Sequence, residues 1–343
     1  MKRSLKLSII LGLVSIIILV SFRANSLPAI DTNNYEIKTL SSTNYTPHDP
    51  IIIDSNDDFI SYGFPGNGTS ESPYLLTNYS INTNAEYGIK ICCVSKVYSI
   101  QNCFISLTND ALTYGIYLQD SQENCSVINN TVISNDYGIF LNHANTMNIS
   151  SNLVSGNVKG LYAYNSYHLS VSNNSFTDNY QFALDFYDCV WLHIFSNLVY
   201  ENRQIGIKFN IVDSSLITQN SFTGNYDYAV YIKSFSDNNG IYLNNFTDNA
   251  QTEDAQAYDS GENIWYNEMT LIGNIWSDIG LNCYYILDGS SSNIDLYPIN
   301  KVENCTNNTS TPNDSSPTSY KIQLGLTLSI LILTFAKIRR RES

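Results

Sequence analysis

The chain has 343 residues, of which 43% are hydrophobic and 14% charged, with a formal net charge of −14. Away from the two ends the imbalance steepens: residues 27–320 hold 8 Lys+Arg against 30 Asp+Glu, a net of −22. Such a surface repels nucleic acid and excludes it as a partner, while suiting divalent cations, a salty medium or basic partners.

Residues 1–26 read as a signal peptide. Lys2, Arg3 and Lys6 precede the apolar run LSIILGLVSIIILV, and Ala24-Asn25-Ser26 supplies small residues at cleavage spacing. An uncleaved membrane anchor is the other reading of the same run. Residues 27–84 read as an N-terminal capping segment ahead of a repeated region.

That region, residues 85–250, rewrites one phrase. NNTVISNDYGIFL (129–141) returns as SNLVYENRQIGIKF from Ser196 and QNSFTGNYDYAVYI from Gln219. Gly88, Gly115, Gly138, Gly160, Ala183, Gly206 and Ala229 mark a step of about 22 to 23 residues after the first. A second marker, Asn102, Asn130, Asn152, Asn174, Asn197, Asn220 and Asn244, keeps pace with it.

After each small residue, positions +1 and +3 are apolar, as in Ile116/Leu118, Ile139/Leu141 and Ile207/Phe209. A period of two puts those side chains on one face of a strand. Val127, Ile149, Val171, Ile194, Ile217 and Ile241 form a further inward column. Several short strands in so short a unit describe a parallel β-helix, since propeller blades and leucine-rich repeats need longer or Leu-dominated units. Stacked one per coil at roughly 4.8 Å, the amides of Asn130, Asn152, Asn174, Asn197 and Asn220 can form a structural hydrogen-bonded ladder. The small residue is expected at a bend too crowded for a larger side chain.

Residues 251–303 read as a C-terminal cap, with Trp265 and Trp276 closing the coil end. Residues 304–320 form a Ser/Thr/Asn linker, and 321–338 an apolar helix whose stretch from Ile322 to Ala336 is short of the roughly 20 residues that span a bilayer comfortably. Lys321 and Lys337 can snorkel, and the Arg339–Arg341 run in the tail 339–343 fits a positive-inside stop. The expected arrangement is an exported β-helix held outside the cell by this anchor. N-x-S/T sequons are dense, and Asn304, Asn307 and Asn308 in the linker are the favoured glycosylation sites. The 7 cysteines match no zinc spacing; Cys283 with Cys305 can staple the end of the domain, and the odd count leaves at least one thiol unpaired or intermolecular.

Two phrases carry a family resemblance. The segment beginning HDPIIIDSNDDFISYGFPGNGTS resembles the start of archaeal surface proteins with PbH1-type β-helix repeats. The later Gly273-Asn274-Ile275-Trp276-Ser277-Asp278, Tyr285-Ile286-Leu287-Asp288-Gly289 and Asp295-Leu296-Tyr297-Pro298 are similar to the end of the NosD-like, "periplasmic copper-binding" domain. The resemblance covers about residues 48 to 300 and implies an all-β, right-handed parallel β-helix. It also raises calcium and copper. SDIGLNCYY replaces the family's acidic loop, with Asp278 the single acid between Ser277 and Tyr285, too few oxygens for a hard cation. Copper fares no better: the 4 His and 3 Met form no cluster, and Cys92-Cys93 is the one soft-ligand pair. No cofactor or metal is expected.

Related β-helices include polysaccharide lyases and glycosidases. A glycosidase needs two carboxyls roughly 5 to 9.5 Å apart. Asp120 and Asp188 fall three coils apart, too far, while Asp185 and Asp188 share a coil without a recognisable leaving-group acid. Binding is the better-supported role. Tyr117, Phe140 and Tyr162 form an outward column, with Asp120, His143 and Asn165 beside them, and Asp185 and Asp188 extend the same face. Exposed rings stack on sugars, and carboxylates and amides bind sugar hydroxyls. The expectation is a non-catalytic surface protein for adhesion or glycan contact. A polysaccharide-cleaving enzyme and a NosD-like role in metal maturation are the alternatives.

Overall fold

The computed structural model describes residues 45–107, 112–121, 123–302 and 305. The signal peptide, the anchor 321–338, the basic tail and Asn304, Asn307 and Asn308 lie outside the described residues. Among the described residues no helix is long and apolar enough to cross a membrane.

Each coil contributes one short strand to each of three parallel sheets of 10, 9 and 8 strands. One coil shows the plan: Thr131–Ile133 in the first sheet, Tyr137–Asn142 in the second and Asn148–Ser150 in the third. Each strand pairs with the equivalent strand one coil before and after, so Ile139 sits between Ile116 and Leu161 in strict register. This is the parallel β-helix the repeat predicts. Pairing runs from Thr46–Pro47 to Ile275–Trp276, so coils already begin within 27–84 and continue into 251–303.

The inward columns are as expected: Ile139, Leu141 and Ile149 are fully buried, as are their equivalents. The first sheet adds a column the sequence reading missed, Ile105, Val132, Val154, Phe176, Val199, Phe222 and Phe246. A β-branched or aromatic side chain at each stacked site buries its apolar area against its own copies, which holds the coils together. At the C-terminal end the column becomes a stack, with Phe246 to Trp276 centroids 4.1 Å apart and Trp276 to Tyr285 3.8 Å apart. At the other end the helix Asn56–Ser61 lays Phe59 against Tyr74 at 4.7 Å. Both ends of the core are thereby covered by rings, which protects sheet surfaces that would otherwise invite another chain.

Corners are made by left-handed residues, many of them not glycine: in one coil, Asn129 (φ 55°), Ser134 (φ 60°), His143 (φ 50°) and Thr146 (φ 52°). The residue after the first of these is the ladder asparagine. Asn130 donates its backbone N–H and its Nδ2 to Asn152 Oδ1 at 2.9 and 3.0 Å, and the pattern repeats through Asn174, Asn197, Asn220, Asn244 and Asn274. The ladder therefore satisfies a corner N–H as well as stacking amides. Its first rung is Cys103, not Asn102: the N–H of Cys103 donates to Asn130 Oδ1, and Asn102 faces outward at a left-handed corner. A second ladder, Asn135, Asn157, Asn179, Asn202, Asn225 and Asn249, runs along the next corner.

The small residues stand inside strands rather than at bends, Ala229 excepted, which precedes its strand. A Cβ on Gly138 would come 2.6 Å from the Gly160 carbonyl oxygen of the following coil, so close approach of neighbouring backbones is the constraint. Cys283 pairs with Cys305, and the sulfurs of the neighbours Cys92 and Cys93 lie against each other. Cys103, Cys125 and Cys189 are free and buried, their thiols pushed up to about 11, 12 and 12 by burial, which keeps them unreactive.

Candidate functional site

The outward face of the second sheet carries two interlocked aromatic columns. Tyr87, Tyr114 and Tyr137 stack along one, with centroids 5.3 and 5.2 Å apart. Tyr117, Phe140 and Tyr162 stack along the other at 5.0 and 5.3 Å, and the two columns meet edge-on, as Tyr137 meets Phe140 at 88°. The structure corrects one expectation. These rings are half-buried, because parallel in-register strands force each ring against its copy in the next coil. What they offer a partner is a ridge of ring edges and hydroxyls.

Beside them the chain turns the corner through Asp120, His143 and Asn165, at φ 48°, 50° and 50°. The left-handed backbone swings all three side chains outward in successive coils. His143 Nε2 lies 2.6 Å from Asn165 Nδ2, and its Nδ1 lies 3.7 Å from Asp120 Oδ1. Gln119 Nε2 donates to Asp120 Oδ2 at 3.1 Å, and Tyr117 donates its hydroxyl to Gln119 Oε1 at 2.5 Å. Tyr117, Gln119, Asp120, His143 and Asn165 thus form one continuous polar string along the helix axis. The sequence reading names four of these and misses Gln119, whose alternation marks it as outward.

The other two candidates part company. Asp188 is exposed at the same corner. Asp185 is only 2% exposed: its Oδ2 accepts a hydrogen bond from Lys159 Nζ at 2.8 Å, and Lys208 Nζ stands 3.6 Å from Oδ1. Lys159 comes from the coil before and Lys208 from the coil after, a convergence invisible along the sequence. Enclosed between two ammoniums, this carboxylate is out of reach of a sugar at the surface. One further exposed aromatic escaped the sequence reading: Trp191, 51% exposed at a left-handed corner and stacked on His168 at 4.7 Å.

With coil, register and face defined, the comparisons are clear on the fold. The model of the right-handed beta helix region matches residues 67–210 and 137–307. The chain belongs to the right-handed beta helix family. Solved structures similar to this β-helix chain include a double mutant of the periplasmic alginate epimerase AlgG, with 16% identity over 55% of this chain and 56% of that one and a TM-score of 0.42. An alginate lyase from Paenibacillus sp. str. FPU-7 aligns at 14% identity over 66% of this chain and 76% of the lyase, with a TM-score of 0.41. The Dettilon tailspike protein gives 15%, 69% of this chain, 60% of the tailspike and 0.41. The aligned part spans little more than half of the epimerase's length. Likeness at this level decides nothing about chemistry. No curated protein matches the chain.

The two metals that the resemblance raises can be tested on the side chains of this β-helix. Asp278 does not suit calcium: its Oδ1 accepts from Gln256 Nε2 at 2.6 Å and its Oδ2 from the Tyr285 hydroxyl at 2.8 Å, so both oxygens are committed to the cap. Asp278 lines a cleft of about 230 Å³ with Asp254, Tyr284 and Tyr285, so the cleft lacks a free carboxylate at that position. Cys92, Cys93 and Asp120 bring ligand atoms within 4.8 Å of one another. The two sulfurs are neighbours in sequence and crowded against each other, and Asp120, already bonded to Gln119, is a hard ligand unsuited to copper. The residues present do not fit a resident copper centre.

Proposed function

We propose that this β-helix is a non-catalytic glycan-contact module of the cell exterior, exported by residues 1–26 and held at the membrane by residues 321–338. The observation that carries the reading is the polar string Tyr117–Gln119–Asp120–His143–Asn165 beside stacked rings. It sets the Asp120 carboxylate, the His143 imidazole and the Asn165 amide at one-coil intervals along an exposed corner, with the Gln119 amide and the Tyr117 phenol beside Asp120 in its own coil. Sugar hydroxyls both donate and accept, so a mixed row of this kind suits a chain of sugars lying along the axis. Trp191 and His168 add an exposed aromatic surface in a neighbouring column of the same turn, three residues further along the chain. Adhesion to carbohydrate is the cellular role that follows.

The burial of Asp185 between lysines favours binding over cleavage, because the acid nearest the rings is enclosed and out of reach of a sugar at the surface. The NosD-like resemblance supports export and the β-helix scaffold in this reading. The test is a glycan array probed with the full chain in mild detergent while product release is followed. Retention without turnover supports the reading. New reducing ends or unsaturated sugars would replace it with a lyase or hydrolase.

A further inference from the structure

The ectodomain is acidic almost everywhere, yet its few cations are not scattered. Of the 8 Lys+Arg between residues 27 and 320, Lys90, Lys159, Lys208 and Lys233 lie on or directly after strands of the second sheet. Lys159, Lys208 and Lys233 fall within four consecutive coils of it, beside the aromatic columns. A cluster of like charges in an otherwise opposite surface costs free energy through repulsion, and burial already disfavours the Lys208 ammonium. Aromatic sheet faces need no such lysines for packing.

Among the described residues one carboxylate, Asp185, lies within ion-pair distance of Lys159, Lys208 or Lys233, while Lys90 pairs with Asp54 at 2.9 Å. Its Oδ2 is bonded to Lys159 at 2.8 Å. Lys208 stands 3.6 Å away, too far for a good hydrogen bond, and Asp185 Oδ1 has no hydrogen-bond partner. Lys208 instead sits over the Phe182 ring at 4.3 Å, while Lys159 sits over Tyr162 at 4.5 Å. Cation–π contact holds an ammonium in place without consuming its N–H donors on an acceptor oxygen. Lys208 is positioned, charged and short of an acceptor, with the exposed Lys233 one coil further on.

We propose that Lys208 and Lys233, braced by Asp185 and Lys159, form a subsite for the anionic group of an acidic glycan, a uronate carboxylate or a sulfate. The inference rests on the glycan-contact reading and adds the charge class of the sugar. Asp185 sets the position of Lys208 without neutralising the cluster. Phe182 and Tyr231, on the strands of Asp185 and Lys208's paired neighbour, give the sugar ring an apolar flank. Elsewhere the negative surface repels a polyanion, so this sheet is where an acidic chain can settle.

The experiment measures binding of the full chain to a polyuronate, a sulfated dextran and neutral dextran, in low and in molar salt. The wild type is expected to hold at least one of the two acidic polymers and to release it in high salt. Lys208→Gln should weaken that binding about tenfold. Lys301→Gln, the same charge change remote from the sheet, should leave it unaltered. Thermal unfolding of each variant separates loss of binding from loss of fold. Preference for the polyuronate identifies the group as carboxylate, and preference for the sulfated polymer identifies it as sulfate. Equal retention of neutral dextran, or an unaffected Lys208→Gln, overturns this inference and leaves the glycan reading standing. If no glycan of any charge is retained, here or on the array, both fail.

Discussion

Asn274 donates its backbone N–H and its Nδ2 to a single oxygen, Asp295 Oδ2, at 2.7 and 3.2 Å. Every asparagine rung before it both accepts and donates within the ladder, so the stack needs an end that only accepts. An ionised carboxylate is that group. Trp276 Nε1 adds a third bond to the same oxygen at 2.9 Å, and the N–H of Tyr297 donates to Oδ1 at 3.0 Å. Asp259 ends another corner in the same way, accepting from Asn263 Nδ2 at 2.8 Å and Trp265 Nε1 at 2.7 Å. The second ladder passes through Gln256 to Asp278. The closing motif that resembles the NosD-like family is therefore the part that terminates the ladders.

Asp295→Asn should lower stability by about 3 kcal/mol, because an amide turns a donor toward donors and leaves buried N–H groups unpaired. Urea denaturation of the variant beside the wild type checks this. A shift of the midpoint within error of zero would show that the end group is dispensable.

Acid titration gives a second check. Burial holds the carboxyls of Asp259 and Asp295 above their ordinary 3.8, against the pull of the N–H donors around them. The folded state therefore binds these protons more tightly than the unfolded state. Their contribution to stability is greatest below 3.8 and falls as pH rises through the window up to the raised folded values. Denaturant midpoints measured across that window should show this falling component in the wild type and a smaller one in Asp259→Asn.

Much of this was legible in the sequence. Asn130, Asn152, Asn174, Asn197 and Asn220 were identifiable as rungs because identical residues recur once per coil. The second ladder was equally visible, since Asn135, Asn157, Asn179, Asn202 and Asn225 each follow a rung by the same short interval. The period rests on two other markers, the small residue and the first asparagine column, and neither draws attention to it. The misplacement of Asn102 has a different origin. Cys103 takes the rung in that coil, and a thiol at an asparagine position breaks the pattern by residue type while the backbone keeps it. The burial of Asp185 was not legible, because its partners arrive from two other coils and long side chains bend toward charge.

The mid-ladder position predicts a contrast between two substitutions. Asn174 Oδ1 accepts from Asn152, and its Nδ2 donates to Asn197 Oδ1 at 3.0 Å and the Ile149 carbonyl at 2.9 Å. Asn174→Ala should cost about 3 kcal/mol by leaving several buried groups unpaired. Asn174→Asp should cost more near neutral pH, since it sets a buried charge against two acceptors. Thermal unfolding of the pair decides it, and an Asp variant as stable as the Ala variant would contradict the ladder's donor direction.

The aromatic face is predicted to matter for stability as well as contact. Phe140 stacks on Tyr117 and Tyr162 and is half-buried, so Phe140→Ala should cost about 2 kcal/mol, below the full price of a core phenylalanine. A stability unchanged from wild type would mean that the rings are held for ligand contact alone.

The central claim, glycan contact without turnover along the Asp120–His143–Asn165 corner, is tested most directly by titration calorimetry with the best array ligand. The proteins are the full chain and a His143→Ala/Asn165→Ala double variant, with sugar release assayed in the same samples. The account predicts binding by the wild type, a loss of about tenfold or more in the double variant at unchanged fold, and no released sugar. Equal affinity of the two proteins, or product accumulating with the wild type, would contradict it.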